Sequence, residues 1–294
     1  MTIDLLEANV MCPNKAVIIN NFVLKLRLQR YAPSSIKTYK NALLKFLEAF
    51  KEHDLKHLSL VQIQQYIHFL QLEHQISASY QKQILATIVK FYGFFFNRSL
   101  DLSSLYPKRK TKSVPKYLTA FEVKNLLLHC SNEKHLCILK ILYGCGLRVS
   151  EVVCLKQSDL DFSNMQILIR SSRAQKSRKV PLPISLIGDL QIYLDVFRPK
   201  EYLFEGQKGG AYSIKSIQNC IKKYALQAKI FKIVSPHTLR HSYAVHQLEK
   251  GVNIHYIKEL LGHSSIKTTE RYTQIIKVSK SNIMSPLDQL DYIV

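Results

Sequence analysis

Two arginines, two histidines and a tyrosine stand out in three separated segments of this 294-residue chain. The first is Gly144-Cys145-Gly146-Leu147-Arg148-Val149-Ser150-Glu151, whose glycines allow a tight turn and present Arg148 at the start of a short helix, with Glu151 one turn on. The second is Pro236-His237-Thr238-Leu239-Arg240-His241-Ser242-Tyr243-Ala244. There His237 and Arg240 stand at i and i+3, so a helix projects both from one face. This places an imidazole able to move protons beside a guanidinium whose fork can hold two phosphate oxygens. His241 falls on a neighbouring face and reads as a packing or capping histidine. The third runs from Leu261-Gly262-His263-Ser264-Ser265 to Tyr272. Gly262 ends one helix, and Ser264 or Ser265 caps the next, which carries Tyr272 two turns later.

Together these side chains suit nucleophilic attack on a phosphodiester. A phenol oxygen attacks phosphorus once the charge developing on the pentacoordinate centre is neutralised, and two guanidiniums can neutralise it. No acidic pair is spaced for a two-metal site, and no G-x-x-x-x-G-K-[ST] loop, H-E-x-x-H run or C-x-x-C pair occurs. The expectation is therefore catalysis without a metal or other cofactor.

These residues need a scaffold. Apolar residues recur at helical spacing over 16–30, 35–51, 60–72 and 79–97, with Ser34 or Ser35 and then Ser59 as N-caps. Thr119-Ala120-Phe121-Glu122 has capping-box spacing and predicts a helix to about Cys130, followed by another over 134–144. Strand patterning appears only at Gln166 to Arg170 and Lys179 to Leu182, flanking a basic tip over 171–178. Helical spacing resumes over 184–197, 213–229, 237–249, 253–261 and 265–277. Between the first four helices and the rest lies Pro107-Lys108-Arg109-Lys110-Thr111-Lys112-Ser113-Val114-Pro115-Lys116, too polar to pack and bounded by prolines that stop helices. The expected organisation is a helical domain over 1–105, a basic linker over 106–117 and a second domain over 118–294.

The chain holds 42 Lys and Arg against 21 Asp and Glu, a net charge of +21. That excess is spread along it: +6 over residues 1–100, +4 over 101–118 and +11 over the remainder. Such a charge favours a polyanion, because Lys and Arg release the counterions condensed on its phosphates. Nucleic acid is the expected partner. Candidate phosphate contacts are Ser35, Lys37 and Lys40 on an N-terminal helix, Lys108, Arg109, Lys110 and Lys112 in the linker, and Arg178 on the hairpin. No apolar run approaches the roughly 18 residues of a membrane span, and Asp4 and Glu7 stand where a signal peptide carries positive charge. A cytoplasmic protein without a membrane partner is expected. Its six scattered cysteines read as buried, reduced and inert thiols.

The three segments, in this order and spacing, resemble the signature boxes of the tyrosine recombinase (phage integrase) family, its Xer-like branch above all. The resemblance covers nearly the whole chain. It implies a mainly α fold: an N-terminal SAM-like core-binding domain, then an α-rich catalytic domain with a small antiparallel β-hairpin, the DNA breaking-rejoining fold. It implies that Arg148 and Arg240 clamp the scissile phosphate while His237 and His263 hydrogen-bond it or manage protons. Tyr272 would form a 3′-phosphotyrosyl link and release a 5′-hydroxyl, with Glu151 orienting its neighbours. The partners implied are duplex DNA carrying a target site and a homo-tetramer, or a second recombinase, on two duplexes joined through a Holliday junction.

One element departs from the family pattern. The lysine that serves there as general acid has its usual hairpin slot on Arg173 here, while Lys176 matches a second lysine of the run. Arginine is a poor proton donor because it stays protonated to about pH 12. Lys176 is therefore favoured as the acid with Arg173 as a phosphate contact, the alternative being that both touch only the DNA backbone. The apolar tail from Ser279 to Val294 would pack on a neighbouring protomer or fold back on its own domain. Two other readings remain: a type IB relaxing topoisomerase, and a non-catalytic architectural protein descended from a recombinase.

Overall fold

A computed structural model describes residues 15–108, 115–170, 177–273 and 275. The chain divides into two compact units, residues 1–112 and 113–294.

In the first unit, helices α1 (Lys15–Leu28), α2 (Pro33–Ala49), α3 (Leu60–His74) and α4 (Ala78–Phe96) surround an aromatic core. The ring of Phe46 lies against those of Phe50, Tyr66 and Phe91, with centroids 5.1 to 6.1 Å apart. The buried Tyr92 hydroxyl donates to the Leu55 carbonyl at 2.7 Å, which satisfies its one polar atom. Ser59 caps α3 in a reciprocal box with Gln62. The start of α2 differs from the expectation. Neither Ser34 nor Ser35 caps it; Pro33 occupies the first turn after an extended Ala32, because its fixed φ suits a first turn that needs no N–H. Lys37 and Lys40 are exposed on α2 and Ser35 is half-buried, while Lys108 is exposed. Arg109, Lys110 and Lys112 lie outside the described residues.

In the second unit α5 (Ala120–Leu128) opens with the Thr119–Glu122 capping box. It leads to α6 (Glu133–Gly144), whose Cys137, Ile138, Leu139, Ile141 and Leu142 are all buried. A helix apolar on so many sides belongs at the centre. Around it pack α8 (Ile184–Phe197), α9 (Ile214–Gln227) and α10 (Pro236–Glu249). The short α7 (Val149–Val152) follows α6 directly. A three-stranded antiparallel sheet comes next, in the order β1 (Leu160–Asp161), β2 (Gln166–Ile169), β3 (Arg178–Pro181). Ile167 faces Val180 and Ile169 faces Arg178, a register that buries Ile167, Ile169 and Val180 together. The hairpin tip, with Arg173 and Lys176, lies outside the described residues, as does the tail from 276.

The chain then runs through α11 (Ile254–Leu261) to α12 (Ile266–Thr269). One continuous helix over 265–277 is not what forms. α12 is a single turn that tightens into a 3₁₀ turn, Glu270–Tyr272, so Tyr272 sits on that turn. Ser265 gives α12 no side-chain cap, and Thr268 and Thr269 are β-branched, so little holds a longer α-helix here. Among the described cysteines, Cys130, Cys137, Cys145 and Cys220 are buried, whereas Cys154 is exposed, contrary to its expected burial. No helix among the described residues is long and apolar enough to cross a membrane.

Candidate active site

Gly146 starts the site. It has φ of +61°, and a Cβ there would lie 2.5 Å from the Tyr243 ring, so only glycine allows α6 to turn this tightly against α10. That turn places Arg148 at the N-terminus of α7, where Glu151 reaches back. The Glu151 carboxylate accepts from the Arg148 backbone N–H at 2.8 Å and from its guanidinium at 2.9 Å.

The same carboxylate holds Arg178 of β3, both of whose terminal nitrogens donate to Glu151 at 2.9 Å, and it stands 3.8 Å from Arg240. Three guanidiniums thus share one carboxylate. Burial alone would raise the Glu151 carboxyl, but hydrogen bonds from Arg178 and Arg148 and their charges hold it below the usual value. The cluster keeps a surplus of positive charge and is built to receive an anion.

A second anchor is the C-terminus of α11, where three successive carbonyls each accept from a different arginine. Leu260 takes Arg178 Nε at 2.7 Å, Leu261 takes Arg240 Nη2 at 2.5 Å, and Gly262 takes Arg148 Nη2 at 2.9 Å. The last carbonyls of a helix lack intrahelical partners and form the negative end of its dipole, so they suit cations. Arg240 also donates to the Gly146 carbonyl at 2.8 Å. Only 3% exposed, it is pulled down by burial and by the nearby Arg148 charge to about 10, which still leaves it charged at neutral pH.

Arg148, His237, Arg240, His241, His263, Thr268, Arg271, Tyr272 and Pro115 line one cleft of about 210 Å³. His263 follows Gly262, which ends α11 in the left-handed conformation, and its Nδ1 is 2.9 Å from Thr269 Oγ1. Tyr272, 2% exposed, packs with Tyr243, Ala244, Val245, Ile257 and Leu261 and also lines the cleft. Its hydroxyl lies 2.8 Å from His241 Nδ1, and the His241 ring is stacked against His237 with centroids 6.4 Å apart. Burial, then His237, Arg240 and Arg271, pushes His241 down to about 4. Burial, then Arg240 and Arg148, brings His263 to about 4 as well. Both are neutral in the free protein. The Tyr272 phenol is raised by burial, against the lowering pull of Arg240, Arg271 and Arg148.

The fold therefore brings Arg148, Glu151, His237, Arg240, His263 and Tyr272 together. Arg178 is 18% exposed, and its fork is committed to Glu151 and the Leu260 carbonyl. His241 is the residue that sequence reasoning missed. It is four residues from His237, the spacing that stacks two side chains on one helix face, and that spacing was its signal.

A mainly helical two-unit chain whose second unit joins two arginines, histidines and a tyrosine in one cleft defines a class: enzymes that break and rejoin the phosphodiester backbone of DNA. Residues 116–277 match the phage integrase family, and residues 18–102 match the N-terminal SAM-like domain of phage integrases. Tyrosine recombinase XerA of Thermococcus onnurineus is 33% identical over 264 residues, covering 88% of this chain and 90% of that protein. XerA of Thermococcus kodakarensis is 33% identical over 272 residues, covering 90% and 92%. Among solved structures, XerH bound to its palindromic difH substrate has the same fold, with a TM-score of 0.70 at 22% identity over 92% of this chain and 88% of that one. The chain belongs to the phage integrase family and is a tyrosine recombinase, a DNA strand transferase of site-specific recombination. Neither the relaxing-topoisomerase reading nor the architectural one is favoured by these relatives.

Proposed function

We propose that this recombinase cleaves DNA in cis, each subunit using its own Tyr272 against a phosphate held by its own Arg148 and Arg240. The observation that carries this is the shared cleft: the tyrosine and both arginines line it within one chain. A phosphate entering there replaces the missing counter-charge of the arginine cluster. As the phenol oxygen adds to phosphorus, negative charge builds on the non-bridging oxygens, and the guanidiniums stabilise it more in the transition state than in the ground state. His237 and His263 hydrogen-bond that phosphate. Lys176, on the hairpin, delivers the proton to the leaving 5′-oxygen, with Arg173 beside it on the phosphate. The product is a 3′-phosphotyrosyl link that keeps the bond energy, so a 5′-hydroxyl from another strand rejoins it without ATP.

Strand exchange between two duplexes needs four such subunits, and we place them as a homo-tetramer acting on a Holliday junction, or as pairs with a second recombinase. Support comes from a lambda integrase tetramer bound to a Holliday junction, which has the same fold at a TM-score of 0.72. The SAM-like unit, with Lys37 and Lys40 exposed, and the linker, with Lys108, Arg109, Lys110 and Lys112, supply backbone contacts along the duplex. We place the activity in the cytoplasm. Replacing Tyr272 by Phe abolishes the covalent adduct on a nicked suicide substrate while duplex binding is kept. An adduct in that variant would remove Tyr272 from its role.

A further inference from the structure

We propose that His241 is the proton acceptor of Tyr272, taking the phenol proton on Nδ1 as the oxygen attacks phosphorus and returning it when the strand is rejoined. This rests on Tyr272 being the nucleophile. Of the histidines lining the cleft, His241 is placed 2.8 Å from that hydroxyl, while His263 presents its Nδ1 to Thr269. The His241 ring packs against two others, with centroids 5.5 Å from the Tyr272 ring and 6.4 Å from the His237 ring.

The O–H bond of Tyr272 breaks and an N–H bond forms at Nδ1, with the other ring proton already on Nε2. The phenolate oxygen bonds to phosphorus, the bond from phosphorus to the 5′-oxygen breaks, and that oxygen takes a proton from the hairpin acid. On rejoining, the deprotonated hairpin residue takes the proton of the attacking 5′-hydroxyl, the bond from phosphorus to Tyr272 breaks, and the Nδ1 proton returns to the phenol oxygen.

The surroundings couple this base to DNA. Facing His241 are His237 and Arg240 on α10, Arg148 and His263 across the cleft, and Arg271 and Tyr272 on the 3₁₀ turn. With the cleft free, burial first, and then the field of His237, Arg240 and Arg271, hold the imidazole neutral and weakly basic, so the phenol keeps its proton. A phosphate between Arg148 and Arg240 cancels part of that field, and His241 gains basicity at the moment the proton must move.

The test is single-turnover cleavage of a nicked suicide duplex by the full chain. His241→Asn keeps an acceptor atom near the Nδ1 position that takes up no proton. Cleavage is expected to slow by about 10² to 10⁴-fold, the usual worth of general base catalysis, with duplex binding unchanged. The acid-side fall of the wild-type pH–rate profile should disappear in this variant. Placing 3,5-difluorotyrosine at 272, whose phenol is far more acidic, should restore most of the lost rate. A His241→Asn rate within about threefold of wild type, or a defect that the acidified phenol does not relieve, would overturn the proposal. Should His241→Asn fail to fold, difluorotyrosine in the wild-type background gives the reading instead: an unchanged pH–rate profile overturns the proposal and a flattened acid side supports it. Tyr272→Phe in the same assay keeps the two readings apart. An adduct there sinks the nucleophile, whereas no adduct there and an unimpaired His241→Asn sinks only the base.

Discussion

At the level of single residues, Glu151 decides how much positive charge the cleft can hold before DNA arrives. It is 14% exposed, and Arg148, Arg178 and Arg240 all converge on it. Breaking a buried ion pair from one side leaves uncompensated charge and costs about 3 to 5 kcal/mol. Glu151→Gln keeps the shape and removes the charge, so the three guanidiniums then repel one another with only carbonyls as acceptors. The melting temperature should fall by roughly 6 to 12 °C, the change that about 3 kcal/mol causes in a unit of this size. Sulfate should recover more of that loss in the variant than it adds to wild type, because an anion can take the place of the missing carboxylate. Melting curves across a sulfate titration check this, and equal gains in the two proteins would count against the shared-charge account.

Among the elements, the C-terminus of α11 does most of the positioning, and it was also the least legible. The helices over 35–51, 134–144, 184–197 and 237–249 could be read from apolar spacing, because a helix that packs on a core has to repeat its apolar face. The site boxes were legible because glycine, arginine and histidine are specific to chemistry or to backbone shape. What the sequence hides are the acceptors at Leu260, Leu261 and Gly262, since a carbonyl has no residue identity; it hid β1 because Leu160 and Asp161 are too short a run to show alternation. Gly262 is where the two kinds of information meet. Its φ is +61°, and a Cβ there would lie 2.9 Å from an Arg178 nitrogen. Gly262→Ala should therefore cost about 1 to 3 kcal/mol through left-handed strain and displacement of Arg178, and should slow suicide-substrate cleavage. Gly93 gives the contrast. It is exposed inside α4 with nothing within 4 Å of its added Cβ, so Gly93→Ala should stabilise by about 0.5 to 1 kcal/mol. Denaturant midpoints of the two variants are expected to move in opposite directions, and a harmless Gly262→Ala would mean that Arg178 is not held as described.

For the whole molecule, the governing quantity is its charge of +21, which falls on both units and gives DNA binding a strong salt dependence through counterion release. Buried histidines set the protein's response to acid, with the positive field adding to the effect of burial. His135, His237, His241, His246 and His263 are all lowered, in each case mainly by burial, and His241 and His263 reach about 4. Their ordinary value is about 6.5, so between roughly pH 6.5 and 4 the unfolded chain binds protons that the folded chain does not. The stability these neutral histidines contribute is fully present above pH 6.5 and is lost as pH falls toward 4. The lowered carboxylates, Glu151 and Glu122 among them, lose theirs only below the carboxylate range. DNA reverses the sign for the cleft histidines. A phosphate held by Arg148 and Arg240 offsets the charges that add to burial in depressing His241 and His263, which raises their pKa in the complex and makes binding take up protons as pH falls. The free protein should thus melt progressively lower from pH 7 to 5, and the stabilisation by a target duplex should grow over the same interval. Melting at three pH values with and without DNA measures both. A free-protein melting temperature that stays flat, or a duplex effect that shrinks on acidification, would mean that the cleft histidines do not sense the phosphate.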